Sequence, residues 1–158
     1  MNEKHTITCL VENHFGVLAR VSGLISARAF NIDSLTVSAT EDPSVSLMTI
    51  VVDADALKLE QVKRQLGRLV DVIEVRELRE GEYVNRELLL ARLNAPDGAR
   101  DKMEELARRS GAKLFPAHGG AVILEATGTT RDLDALVGEL RAYGLTNLAR
   151  TGRVALPR

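Results

Sequence analysis

The spacing of apolar residues in this sequence changes in a set order, alternating, helical, alternating, alternating, helical, alternating, and then runs through that order again. Ile7, Cys9 and Val11 alternate with Thr6, Thr8 and Leu10, the period-two signature of a strand with one face turned to a core. Val17, Leu18, Val21, Leu24 and Ile25 recur at helical spacing, which predicts a helix of about three turns ending near Ala29. Leu35 and Val37 alternate with Ser34, Thr36 and Ser38, and after the turn residues Glu41 to Ser44 a second strand runs from Leu47 to Asp53. Leu59, Val62, Leu66 and Leu69 mark another helix, and Val72 to Leu78 a fourth strand. The charged, glycine-containing Arg79 to Glu82 breaks the pattern. Beyond it the order restarts, with strands at Leu88 to Leu93, Ala112 to Phe115 and Ala121 to Thr127. Helical stripes fall at Met103, Leu106, Ala107 and at Leu133, Leu136, Val137, Leu140, and a last strand ends at Val154 to Leu156.

Two βαββαβ units follow, each of roughly 75 residues and so at the small end for a lone core. The expected fold is α+β, two tandem ferredoxin-like units divided as residues 1–80 and 81–158. Such a unit packs both helices on one sheet face and leaves the other to be covered. Thr6, Thr8, Ser34, Thr36 and Ser38 fall on that open face or on sheet edges, which predicts assembly through edges or faces rather than a monomer.

With 45% hydrophobic and 27% charged residues the chain reads as globular, which argues against disorder and membrane spanning. Twenty-one basic against 22 acidic residues, without basic clusters and with only 3% aromatics, gives no footprint for nucleic acid. Cys9, the single cysteine, sits at an apolar strand position and reads as a buried, inert thiol suited to a reducing cytoplasm. No targeting leader is legible in the first residues. His5, His14 and His118 show no metal-ligand spacing, and no nucleophile motif, Walker loop or dinucleotide fingerprint occurs, so neither a catalytic residue nor a metal site is expected. Gly119-Gly120, between two strands, is a hairpin turn.

The bend Asn13-His14-Phe15-Gly16, where the first strand passes to the first helix, admits two readings. Asn can start a turn or cap a helix and Gly permits positive φ, which is turn chemistry. A helix starting at Gly16 or Val17 also presents unpaired N–H groups, and a glycine leaves room for a small anion such as an amino-acid carboxylate, with Asn13 free to bond the ligand's other polar end. Asn31, after the same helix, has its own reading as a C-terminal turn residue.

The stretch HTITCLVENHFGVLARVSGLISARAFNIDSLTVSATEDPSVSLMTIVV resembles the ACT domain, a small βαββαβ amino-acid-sensing module. With QLGRLVDVIEV, VNRELLLARLNAP and LARTGRVAL, the resemblance extends over nearly the whole chain to the regulatory (small) subunits of acetolactate synthase. It implies a non-catalytic homodimer in branched-chain amino-acid biosynthesis that raises the activity of a separate catalytic (large) subunit and confers feedback inhibition by valine, leucine or isoleucine. Thiamine diphosphate, magnesium and FAD are then expected on that partner and no cofactor on this chain. The family's effector site, between two ACT domains, maps onto Asn13, Gly16 and Asn31, with His14, Phe15, Val17, Leu18 and Ile32 lining it. Leu47 stands where the family usually has arginine, Asn85 replaces a glutamate, and Ala107 to Ser110 lacks the family's usual stretch. An ACT-type sensor serving another enzyme, and a free-standing enzyme, are the alternatives.

Overall fold

The computed structural model describes residues 3–27, 30–96 and 98–158. They divide into two compact units, residues 1–85 with 153–158, and residues 86–152.

The first unit begins with β1 (Glu3–Glu12), α1 (Val17–Ser26), β2 (Asn31–Ala39), β3 (Val45–Ala54), α2 (Ala56–Leu66) and β4 (Val72–Leu78). Its antiparallel sheet has the order β2-β3-β1-β4, so β1 and β3 are the inner strands. Ile7, Cys9 and Val11 of β1 share a core with Met48, Ile50 and Val52 of β3, Val21 and Ile25 of α1, and Leu59, Val62 and Leu66 of α2. Burial pushes the Cys9 thiol up to about 12, so it stays protonated. α2 starts cleanly because the Asp55 side chain accepts from the Lys58 amide at 2.9 Å. It ends at Leu66, so Leu69 belongs to the following turn while still packing on the core. The expected end of α1 near Ala29 lies outside the described residues.

The second unit takes its elements from β5 (Tyr83–Leu93), α3 (Arg100–Ser110), β6 (Lys113–Pro116), β7 (Val122–Gly128), α4 (Thr130–Leu140) and β8 (Leu145–Arg150), with sheet order β6-β7-β5-β8. Leu89, Ala91 and Leu93 pack under Met103, Leu106, Leu133, Leu136 and Leu140. The Thr129–Asp132 capping box starts α4. Buried Glu87 accepts through a single oxygen, Oε2, from both Arg150 Nε at 3.0 Å and Nη2 at 2.6 Å, an ion pair tying β5 to β8. Gly144 must be glycine for room as well as for its φ of 70°, since a Cβ there would stand 2.3 Å from the Asn94 carbonyl oxygen.

The C-terminus departs from expectation. The fourth strand of the second repeat is β8, and the last strand, β9 (Val154–Pro157), is separate from it, pairs with β5, and belongs to the first unit. The reason lies in which residues it covers. Thr6 and Thr8, on the sheet face opposite the helices, are buried rather than open. Arg153 Nη1 donates to Thr6 Oγ1 at 2.8 Å, the Tyr83 hydroxyl lies 3.4 Å from the same oxygen, and the Arg158 amide donates to the Glu82 carbonyl at 3.0 Å. Leu156 and Pro157 line a small cavity on this face together with Thr8, Leu10, Leu47 and Arg76. Ser34, Thr36 and Ser38 share the face by register with Val51, Thr49 and Leu47 and stay partly or wholly exposed.

Ending the chain after Gly152 removes that cover and one of the three strand partners of β5. The first unit should lose about 2 kcal/mol or more of stability, read from the urea midpoint by hydrogen exchange of β1 amides. Unchanged protection of β1 would show that the C-terminal strand contributes nothing to this sheet.

Candidate functional site

β1 ends where three segments meet. The Glu12 amide donates to the Asp71 carbonyl at 2.8 Å, and the Asn13 amide donates to the Ser44 carbonyl at 2.7 Å. The Asn13 side chain adds Nδ2 to the Pro43 carbonyl at 2.8 Å. The bend is therefore pinned to the β2–β3 turn and to the segment before β4. That much is turn chemistry, and it leaves Asn13 Oδ1 without a partner among the described residues.

Gly16 then reverses the chain at φ 88°, ψ −11°, a left-handed conformation that glycine adopts without strain. It is the N-cap of α1, and no side chain caps the helix. The first turn contains no acidic residue either, so its amides and the positive end of the helix dipole are left for an outside acceptor. Around them Phe15 is fully exposed and Leu18 is 46% exposed, while Val17 is buried in the core.

Below the bend His14 meets three charged residues that the expected site does not include, Glu12, Arg20 and Asp71. Asp71 is buried, and its Oδ2 accepts from Arg20 Nε at 2.7 Å while its Oδ1 lies 3.0 Å from His14 Nε2. Glu12 Oε2 is 3.2 Å from the same nitrogen. The Phe15 carbonyl, 3.2 Å from His14 Nδ1, is the main cause that raises the histidine's pKa above the ordinary imidazole value, with the Asp71 and Glu12 carboxylates acting in the same sense. The Arg20 guanidinium reaches beside Gly16, where a Cβ would be 3.6 Å from Nη1. Its terminal nitrogens have no partner among the described residues. Arg20 sits one helical turn after Gly16, a spacing that could have marked it. Asp71 interrupts the apolar run Leu69 to Val75, but 55 positions separate it from Gly16, and only the sheet order brings the two together.

The expected site residues do not all converge. Asn13, His14, Phe15, Gly16, Val17 and Leu18 share one end of the sheet. Asn31 pairs with Asp53, and Asp53 with Lys4, so Asn31 stands at the opposite end, about 30 Å away for nine strand steps. Exposed Asn31 and half-buried Ile32 therefore cannot touch the bend of the same chain, and Ile32 packs on the core.

Asp71→Asn should lower stability by about 1–2 kcal/mol in urea denaturation, because it removes the carboxylate that Arg20 and His14 share while both partners can turn to water. An unchanged midpoint would show that the cluster does not brace the bend.

Residues 7–74 match the family described as AHAS small subunit-like ACT domain, and residues 86–158 match the family described as small subunit of acetolactate synthase. A probable acetolactate synthase small subunit of Archaeoglobus fulgidus is 46% identical over 155 residues, covering 98% of this chain and 97% of that protein. The acetolactate synthase small subunit of Mycolicibacterium smegmatis is 42% identical over 154 residues, covering 98% and 91%. The crystal structure of the acetolactate synthase small subunit from Thermotoga maritima superposes with a TM-score of 0.89 at 30% identity, covering 99% of this chain and 98% of the other. With both sequence and fold matched end to end, this chain belongs to the acetolactate synthase small-subunit family.

Proposed function

We propose that this chain regulates acetolactate synthase by binding the catalytic large subunit, raising its turnover and making it sensitive to a branched-chain amino acid. The observation that carries the effector reading is the uncapped start of α1 at Gly16, with open backbone donors, the Arg20 guanidinium beside them and an exposed apolar pair, Phe15 and Leu18, at the rim. The donors and guanidinium suit a carboxylate, Asn13 Oδ1 can accept from an ammonium group, and the apolar rim suits a branched side chain. Thiamine diphosphate chemistry belongs to the large subunit in this reading.

The 30 Å between Asn13 and Asn31 implies that a site using both takes them from two chains. A two-fold dimer does this by setting the bend of one protomer against the β2 start of its partner, producing two equivalent sites.

Purified chain should form no acetolactate when supplied with thiamine diphosphate, and should raise the rate of its large subunit in a way that valine, leucine or isoleucine reverses. Gly16→Asp should abolish the inhibition and spare much of the activation, since the new carboxylate takes the effector's place at the amides and Arg20. Gly16→Ala separates charge from strain. It shares the unfavourable φ, without crowding, and should retain more inhibition than the Asp variant. Full inhibition of the Asp variant would show that the bend is a turn only, and turnover by the chain alone would overturn the regulatory reading.

A further inference from the structure

We infer that Glu12, His14 and Asp71 form a binding site for a divalent transition-metal ion, of the zinc or cobalt type, at the foot of the bend. Glu12 Oε2, His14 Nε2 and an Asp71 carboxylate oxygen converge within 4.8 Å of one another. The two distances to the imidazole nitrogen, 3.2 and 3.0 Å, are those between neighbouring ligand atoms around one small ion: bonds of about 2.0–2.1 Å set tetrahedral edges of about 3.3 Å and octahedral edges of about 3.0 Å.

The surroundings orient each donor. The Phe15 carbonyl lies 3.2 Å from Nδ1, where an Nδ1–H donates to it as the outer partner usual for a metal-bound histidine, and Nε2, beside the two carboxylates, is the nitrogen left for the ion. Arg20 Nε holds Asp71 by Oδ2, which leaves Oδ1 for the ion. Asp71 is a buried, fixed ligand, while Glu12 and His14 have side chains that are 56% and 46% exposed, so the ion enters from solvent and water completes its coordination. The guanidinium charge weakens the site for hard cations held by charge alone. An imidazole in the ligand set favours zinc or cobalt over magnesium or calcium. Cys9 is buried in the core on the same strand, and its thiol stays protonated, so it does not compete.

The consequence is mechanical. One ion would add a further link between the end of β1 with its bend and the segment entering β4, which hydrogen bonds and ion pairs already connect. This inference stands on the cluster and not on the effector reading. A chain whose bend binds no amino acid would still take up the ion.

Calorimetric titration of the full chain with zinc chloride in a non-coordinating buffer, paired with the visible absorption of the cobalt(II) form, tests it. One ion per chain is expected, with cobalt absorption showing a bound, water-completed site. His14→Ala and Glu12→Gln should each weaken affinity about tenfold or more. Both residues are exposed, and circular dichroism should show both variants folded as the parent. His5→Ala, which changes the other histidine of the first unit facing a carboxylate, should bind as the parent. Absence of saturable one-to-one binding would overturn the site. So would equal affinity in His14→Ala, or magnesium binding as tightly as zinc.

Discussion

The first unit depends on the double pairing of β1. Ten residues of this strand pair with β3 on one edge, and six pair with β4 on the other, so no backbone group along its middle faces water unpaired. Its side chains are buried on both faces, Ile7, Cys9 and Val11 beneath the helices and Thr6 and Thr8 opposite. A one-residue slip would exchange these two sets and place threonines in the core. The register is therefore firmly specified, and with it the point at which the strand stops. Because Glu12 and Asn13 must answer to Asp71 and Ser44, the bend is built from three segments distant in sequence, although its residues are consecutive.

What the bend offers follows from what it lacks. Most helices close their first turn with a side chain, and here Gly16 supplies none, while the exposed Phe15 and Leu18 are not drawn into the core. The local fold gives up a cap and solvent-exposes a large ring, and both are recovered if a ligand or a second chain covers them. Buried Asp71 is the counterweight. It fixes Arg20 from beneath, so a cation stands by the amides without a long side chain having to be ordered at the moment of binding.

Much of this was legible in the residues. The alternation of Ile7, Cys9 and Val11 and the stripe Val17, Val21, Ile25 identify β1 and α1 because burial on one face is a local, periodic constraint. Gly16 was legible as a bend for the same local reason. The Asp71–Arg20–His14 cluster was not, since it depends on β4 pairing next to β1, a long-range fact. Nothing local marks β8 either, because Leu145–Arg150 is largely exposed and carries no clean alternation. The division near residue 80 likewise could not anticipate that residues 153–158 return to the first unit, since nothing in Val154 to Pro157 says which sheet it joins. Leu47, an oddity against the family pattern, lines a small cavity that Leu10, Leu156 and Pro157 also border.

An effector site that uses both Asn13 and Asn31 requires two chains, because one chain keeps the two residues about 30 Å apart. Mixed dimers test it directly. Gly16→Asp and Asn31→Ala are prepared as separate homodimers, each without effector binding, then exchanged to equal mixing and titrated calorimetrically with valine, leucine and isoleucine. In a mixed dimer one composite site collects both substitutions and the other collects neither. About half the dimers are mixed, so about one quarter of all sites should bind again. If no binding returns while mass measurement confirms mixed dimers, each site lies within a single chain and the account is wrong.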